Sequence, residues 1–263
     1  MRLAVAATAP LGADVLERLA ARHEIAYVLT RPDAPRGRGR KLAPPPAKEA
    51  ADRLGIRVEQ PERPALPADA PVDTIVVCAY GLLIPPSLLA EGLWLNVHPS
   101  LLPRWRGAAP IERSILAGDE LTGVSIHETV EALDAGPLAA QESFPIGPDD
   151  DAGSVYARAG EVAARLLDEV IAAPSFAPQA EDGITYAEKI LAADRELNLD
   201  DPVDAWRRVR ALSPHIGAWT VMHDRRITIW RAHLEGGVFV PDEVQPEGKG
   251  RMSWDAFMRG IRA

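Results

Sequence analysis

The sequence predicts an α/β fold, in which a mostly parallel sheet with helices on both faces is followed by a small β-rich domain, and three observations lead there. Short β-rich runs alternate with helical patterns through the first half of the chain, as they do in βαβ units. The run Thr74-Ile75-Val76-Val77-Cys78-Ala79 is apolar on consecutive residues, which suits a strand in the middle of a sheet covered on both sides. Beyond the proline-containing stretch that starts at Pro174, the pattern changes to one helix and several β-rich pieces.

Taken in order, Leu3–Ala7 reads as a strand, Gly12–Arg22 as a helix, Ile25–Thr30 as a strand, Ala47–Leu54 as a helix and Ile56–Glu59 as a short strand. Trp94–His98 is the next strand after the central one, and Pro99 ends it because proline cannot donate to a ladder. Ala109–Ala117 suits a helix closed by Gly118, Val124–Thr129 and Leu138–Ile146 suit strands, and Ser154–Ile171 carries a long amphipathic helical pattern. Asp149, Asp150 and Asp151 precede that helix, where negative charge is favourable. In the last part, a helix is expected near Val203–Leu212 and strands at Trp219–Met222, Ile227–Arg231 and Val238–Val240. The expected division is a catalytic domain over residues 1–173, a linker over 174–200 and a C-terminal domain over 201–263.

A chain of 263 residues, 47% hydrophobic and 25% charged, is long enough for two domains and apolar enough to bury a core. Cys78 is the single cysteine, so no intrachain disulfide can form and nothing favours an oxidising compartment. The apolar opening Met1–Ala7 is not read as a leader, because Asp14 and Glu17 interrupt any apolar stretch. No run reaches the ~18 apolar residues of a membrane span, and a cytoplasmic protein without a membrane role is expected. Nothing in the sequence points to a protein partner.

The net charge of -9 argues against a surface built to coat nucleic acid. Against that average, Arg31, Arg36, Arg38, Arg40 and Lys41 crowd one stretch with only Asp33 opposing them. Glycines and prolines among them, without a helical period, make the stretch a poor salt-bridged face and suit contacts to phosphates.

The chemistry concentrates at the end of the Trp94–His98 strand. In parallel sheets ligand groups collect past the carboxyl ends of strands, and Asn96 and His98, two apart, project to one side. An imidazole can move protons and an amide can stabilise an oxyanion. Asp134 lies in Glu131-Ala132-Leu133-Asp134-Ala135-Gly136-Pro137, a stretch built to turn, and could orient the imidazole. Together these are the parts of an acyl-transfer site. His127, His215, His223 and His233 follow no metal-ligand spacing and read as surface or core residues, so no metal is expected. Only Gly12 follows the first strand, which speaks against a dinucleotide cofactor.

The segment Leu95-Asn96-Val97-His98-Pro99-Ser100-Leu101-Leu102-Pro103-Arg104-Trp105-Arg106-Gly107-Ala108-Ala109-Pro110-Ile111 resembles the signature of the methionyl-tRNA formyltransferases, within the folate-dependent formyltransferase superfamily. Asn-x-His-Pro-Ser-Leu-Leu-Pro specifies the superfamily, and Arg-Trp-Arg-Gly-Ala-Ala-Pro-Ile narrows it. Arg31–Leu42, Ala79–Pro85 and Thr185-Tyr186-Ala187-Glu188-Lys189-Ile190 are similar to that family too.

The resemblance implies a Rossmann-like catalytic domain, with Asn96, His98 and Asp134 at the catalytic positions. Ser100, Leu101, Leu102 and Pro103 would form the tetrahydrofolate-binding segment, with Tyr80, Gly81 and Leu82 bordering the pocket. It implies 10-formyltetrahydrofolate as donor and the acceptor arm of initiator methionyl-tRNA as acceptor, contacted by Arg31, Arg36, Arg38, Arg40, Lys41, Arg104 and Arg106. The chain departs from the family at Ala7-Thr8-Ala9, where Gly-Thr-Pro is usual, and at Asp134-Ala135-Gly136-Pro137, where Asp-Thr-Gly-Asp is usual. Its second domain is also short, passing quickly from Ile227–Arg231 through Gly236-Gly237-Val238 to Gly250-Arg251-Met252-Ser253, which resembles the family's closing segment, and this implies missing strands in the family's C-terminal barrel. Two other readings stand beside this one: a formyltransferase for a small amine, such as an aminosugar nucleotide or glycinamide ribonucleotide, and a non-catalytic folate- or RNA-binding protein.

Overall fold

The computed structural model describes residues 1–36 and 39–262. It forms two compact units. The first comprises Met1–Arg106, Gly123–Ser143 and Ala157–Thr185, and the second Gly107–Thr122, Phe144–Tyr156 and Tyr186–Ala263.

The first unit opens with β1 (Arg2–Ala7), α1 (Pro10–Ala20), β2 (Glu24–Leu29), β3 (Ala34–Arg36), β4 (Lys41–Ala43), α2 (Pro46–Leu54), β5 (Val58–Glu59), β6 (Thr74–Cys78), α3 (Pro86–Leu89) and β7 (Leu93–His98). After the short β8 (Arg106–Gly107) comes helix α4 (Pro110–Ala117), which belongs to the second unit, and then β9 (Leu121–Glu128), β10 (Leu138–Pro145) and the long α5 (Ala152–Ala172), each with its larger part in the first. Seven strands form one sheet in the order β10-β9-β7-β6-β1-β2-β5. The pairs from β7 through β5 are parallel, and β7 with β9 is antiparallel. As the continuous apolar run requires, β6 is the middle strand and every one of its residues is buried.

Gly12 shows why a single glycine suffices after β1. A Cβ there would lie 2.5 Å from the Cys78 carbonyl oxygen and 2.7 Å from the Ala7 Cβ, so only glycine lets the first turn of α1 sit on the ends of β1 and β6. Ala4, Ala6, Tyr27, Leu29, Ile75 and Trp94 fill the core against one face of these strands.

The sequence pattern does not anticipate β3 and β4. They pair antiparallel, with Ala34 opposite Ala43, within the basic stretch. Just before this hairpin, Lys48 Nζ lies 2.8 Å from Asp33 Oδ1 and 2.9 Å from Gln60 Oε1, while Gln60 Nε2 donates to Asp33 Oδ1 and to the Arg31 carbonyl.

The second unit adds β11 (Tyr186–Ala187), a 3-10 turn (Ala193–Arg195), α6 (Pro202–Leu212), β12 (Ala218–Met222), β13 (Arg225–Glu235), β14 (Val238–Pro246), β15 (Met252–Ser253) and α7 (Trp254–Arg262). β12 to β15 form a four-stranded antiparallel sheet. Two tight turns fix its hairpins: His223 and Asp224 have φ of 51° and 58°, and Gly236 and Gly237 have 58° and 85°, the left-handed pairs that such turns require. The strands expected at Ile227–Arg231 and Val238–Val240 are both longer in the structure. In β13 the added residues alternate exposed and half-buried beyond Arg231, and in β14 the buried Pro241, Val244 and Pro246 are separated by polar Asp242, Glu243 and Gln245, so the apolar pattern fades although the ladder continues. The α5 start behaves as expected: Asp151 Oδ1 accepts from the Ser154 N–H at 2.9 Å. Among the described residues, no helix is long and apolar enough to cross a membrane.

Candidate active site

β7 stays extended through His98, so Asn96 and His98 do share a face. The antiparallel partner β9 sets His127 directly opposite Asn96, and the chain leaving β9 turns back to bring in Asp134. Asp134 sits in the left-handed region at φ 48°, which aspartate tolerates better than most side chains. Gly136 is obligatory there, since a Cβ would fall 1.8 Å from the Glu128 carbonyl oxygen.

Hydrogen-bond partners fix the orientation of each group. Asn96 Nδ2 lies 3.2 Å from Asp134 Oδ1 and 2.9 Å from His127 Nε2, so both amide hydrogens are engaged. His127 accepts through Nε2 because its Nδ1–H donates to the Glu128 carbonyl at 2.9 Å. His98 Nε2 lies 2.7 Å from the Trp105 carbonyl oxygen, an acceptor only, so that nitrogen carries the hydrogen. The other nitrogen, Nδ1, faces Asp134 Oδ2 at 3.6 Å, beyond hydrogen-bond distance. The orienting role expected of Asp134 alone is thus shared: the Trp105 carbonyl holds the ring and the carboxylate supplies charge on its far side.

His98 is only 4% exposed. Burial pushes its imidazole below the usual histidine range, against the opposing pull of the Asp134 charge and the Trp105 hydrogen bond. A neutral ring at neutral pH is the consequence.

The loop after β7 is held from within. Ser100 Oγ donates to the Arg104 carbonyl, Ser125 Oγ donates to the Ser100 carbonyl and accepts from the Leu102 N–H, and Gln141 Nε2 donates to the Leu102 carbonyl. Ser100 and Leu102 are buried, while Leu101 and Pro103 are half-buried, and the Leu102-Pro103 peptide is cis. The polar groups of Ser100 and Leu102 therefore shape the loop. Leu101 and Pro103 are the members of this segment with surface to offer a ligand. Tyr80 is buried in the core, and its carbonyl accepts from Thr8 Oγ1 at 2.7 Å. Gly81 takes a left-handed φ of 77°, and Leu82 is half-buried.

Among the basic candidates, Arg31, Arg40 and Lys41 are exposed. Arg38 and the side chain of Arg36 lie outside the described residues. Arg104 stacks 4.3 Å from the centre of the Trp105 ring, and Arg106 binds Gln179 Oε1 through Nη2 at 2.6 Å.

Two contributors escape a reading of the sequence alone. His127, expected to be a surface or core residue, is 1% exposed and belongs to the Asn96 network. Its signal is its place on the strand that leads into the Asp134 turn. Gln179 falls in the stretch expected to be a linker, yet it donates to the Asp134 and Gly136 carbonyls. Its flanks are fastened as well, by the reciprocal pairing of Ala177 with Leu138 and by Thr185 Oγ1 accepting from the Trp105 N–H.

The arrangement offers a neutral imidazole, a carboxylate and an amide at one strand end, which suits acyl transfer to an amine. Comparison with known proteins agrees. Residues 1–171 match the family described as Formyl transferase, and residues 189–238 match its C-terminal domain. The methionyl-tRNA formyltransferase of Roseobacter denitrificans is 40% identical over 259 residues, covering 93% of this chain and 85% of that protein. Among solved structures, the methionyl-tRNA formyltransferase of Clostridium thermocellum superposes with a TM-score of 0.66 at 15% identity, covering 95% of this chain and 100% of that one. HypX from Aquifex aeolicus, solved with tetrahydrofolic acid, gives 0.69 at 17% identity over 98% of this chain and 46% of its own.

Proposed function

The chain belongs to the formyl transferase family, and on that premise we propose that it transfers the formyl group of 10-formyltetrahydrofolate to the amino group of initiator methionyl-tRNA, in the cytoplasm. The observation that carries the reading is the meeting of Asn96, His98 and Asp134 at the end of β7, with separations of 3.2 Å and 3.6 Å to the carboxylate. That the Roseobacter denitrificans protein, named for this activity, aligns along nearly the whole chain supports the acceptor.

In the proposed step, the neutral amine nitrogen bonds to the formyl carbon and the carbonyl electron pair moves to its oxygen. Asn96 stabilises that oxyanion, and His98 adds a donor once its Nδ1 has taken up the proton of the amine, because its Nε2–H is held by the Trp105 carbonyl. The carbon–nitrogen bond to the folate then breaks, and the proton lost by the amine ends on the folate nitrogen, carried by His98 or Asp134, directly or through water. Because both Asn96 amide hydrogens are engaged, to Asp134 and to His127, one of them must be redirected when the oxyanion forms.

The donor pocket of this reading is bordered by Tyr80–Leu82 and by Ser100–Pro103, and the acceptor arm meets Arg31–Lys41, Arg104 and Arg106. The division into a catalytic domain over 1–173, a linker over 174–200 and a C-terminal domain over 201–263 belongs to the same proposal. A four-stranded C-terminal sheet is a small platform for a macromolecule, and this favours, as the second reading, a small-amine acceptor. Incubation with 10-formyltetrahydrofolate and, separately, methionyl-tRNA, an aminosugar nucleotide and glycinamide ribonucleotide separates the two. Formylation of a small amine with none on methionyl-tRNA would establish the second reading, and formylation of no amine would leave a binding protein.

A further inference from the structure

Gln179 spends its whole carboxamide on the two segments that hold the reacting groups. Its Nε2 donates to the Asp134 carbonyl and to the Gly136 carbonyl, each at 2.8 Å. Its Oε1 accepts from Arg106 Nη2 at 2.6 Å and from Arg106 Nε at 3.2 Å. Two donors and two acceptor lone pairs are all that a carboxamide has.

The positions tied together matter more than the bonds. On one side lies the turn that carries Asp134 in a left-handed conformation. On the other, Arg106 follows Trp105, which is itself left-handed at φ 64° and whose carbonyl holds His98 Nε2. The two flanks of the His98–Asp134 pair therefore meet at one side chain. The backbone around Gln179 is anchored in the same way, since Ala177 pairs with Leu138 on the Asp134 side and Thr185 accepts from the Trp105 N–H on the His98 side. Gln179 and Arg106 also wall an open depression of about 420 Å³ beside Ala135 and Pro137, which flank the Asp134 turn.

We propose that Gln179 is a positioning residue for formyl transfer, fixing the Asp134 turn against the Trp105–Arg106 segment and so setting the approach of Asp134 to His98. The assignment rests on the reading that these two residues serve the transfer. Glutamine is required for a physical reason: the backbone carbonyls need donors and the guanidinium needs acceptors, and glutamate or leucine supplies at most one of these.

The test compares the parent with Gln179→Leu and Gln179→Glu. Glutamate keeps the length and adds an ion pair to Arg106, so it retains the fold should the leucine variant fail to, but it faces two carbonyl oxygens without a donor. Both variants are expected to lose turnover, toward the ~100-fold that a displacement of about 1 Å costs, with Michaelis constants for donor and acceptor within about twofold. In Gln179→Leu, which adds no charge, the His98 imidazole, followed by NMR across pH, is expected to titrate lower than in the parent. The Asp134 charge and the Trp105 carbonyl, which hold its midpoint up, are both loosened. The titration needs neither folate nor acceptor, so it separates an error in this assignment from an error about the reaction. A Gln179→Glu protein with parental turnover, or a folded Gln179→Leu protein whose His98 titration coincides with the parent's, overturns the proposal.

Discussion

His127 Nε2 lies 2.9 Å from Asn96 Nδ2, and this approach, with Asp134 Oδ1 at 3.2 Å, determines which way the Asn96 amide faces. An amide turned the other way would set its oxygen against a carboxylate. Asn96 thus holds one amide hydrogen on Asp134 and the other on His127.

Replacing Asn96 by Ala is expected to lower turnover by about 100–1,000-fold, the usual cost of one oxyanion donor. Steady-state kinetics with saturating donor measure it. An effect confined to folate affinity would assign Asn96 to binding instead.

Asp134→Asn keeps the shape of the side chain and removes its charge. A strong fall in turnover is expected, with a melting temperature close to the parent's. Because burial already holds the His98 pKa below its ordinary value and the Asp134 charge is what raises it, loss of that charge moves the midpoint lower still. For the parent, activity is expected to persist as pH falls below the ordinary histidine range and to drop only as His98 protonates; in Asp134→Asn the remaining activity should drop at lower pH. Collapse of stability with full activity in the folded fraction would make Asp134 a structural loop residue.

The basic hairpin is expected to serve the tRNA. Replacing Arg36, Arg38 and Arg40 together by Ala should raise the Michaelis constant for methionyl-tRNA and flatten its salt dependence, because a loop without those cations displaces fewer counterions from the phosphates on binding. The constant for the folate donor should be nearly unchanged. A triple variant that matches the parent across a salt series would remove this loop from recognition and favour the small-amine reading.

Much of the fold and half of the site network are legible in the chain itself. The central strand β6 announces itself by an unbroken apolar run, and the Asn96–His98 pair by its spacing of two, since both signals arise from one strand's own geometry. His127 is not legible, because its role comes from β9 lying antiparallel to β7, and a sequence does not display which strands become neighbours. Gln179 is hidden for a related reason. Prolines before it, at Pro174 and Pro178, read as a linker, yet the segment is fixed by backbone pairing to Leu138 across a long stretch of chain. The β3–β4 pair is masked by charge: with Arg36, Arg38, Arg40 and Lys41 and the glycines among them, residues 34–43 carry no period-two apolar pattern, although Ala34 pairs with Ala43.

The central claim is that His98 serves the chemical step, and it is tested most directly by the single-turnover rate of formyl transfer from 10-formyltetrahydrofolate to methionyl-tRNA in the parent and in His98→Ala. The expected result is a loss of at least ~100-fold, the usual contribution of a positioned acid or base, with folate binding and the melting temperature close to the parent's. A His98→Ala protein that transfers formyl groups at near the parental rate would contradict it.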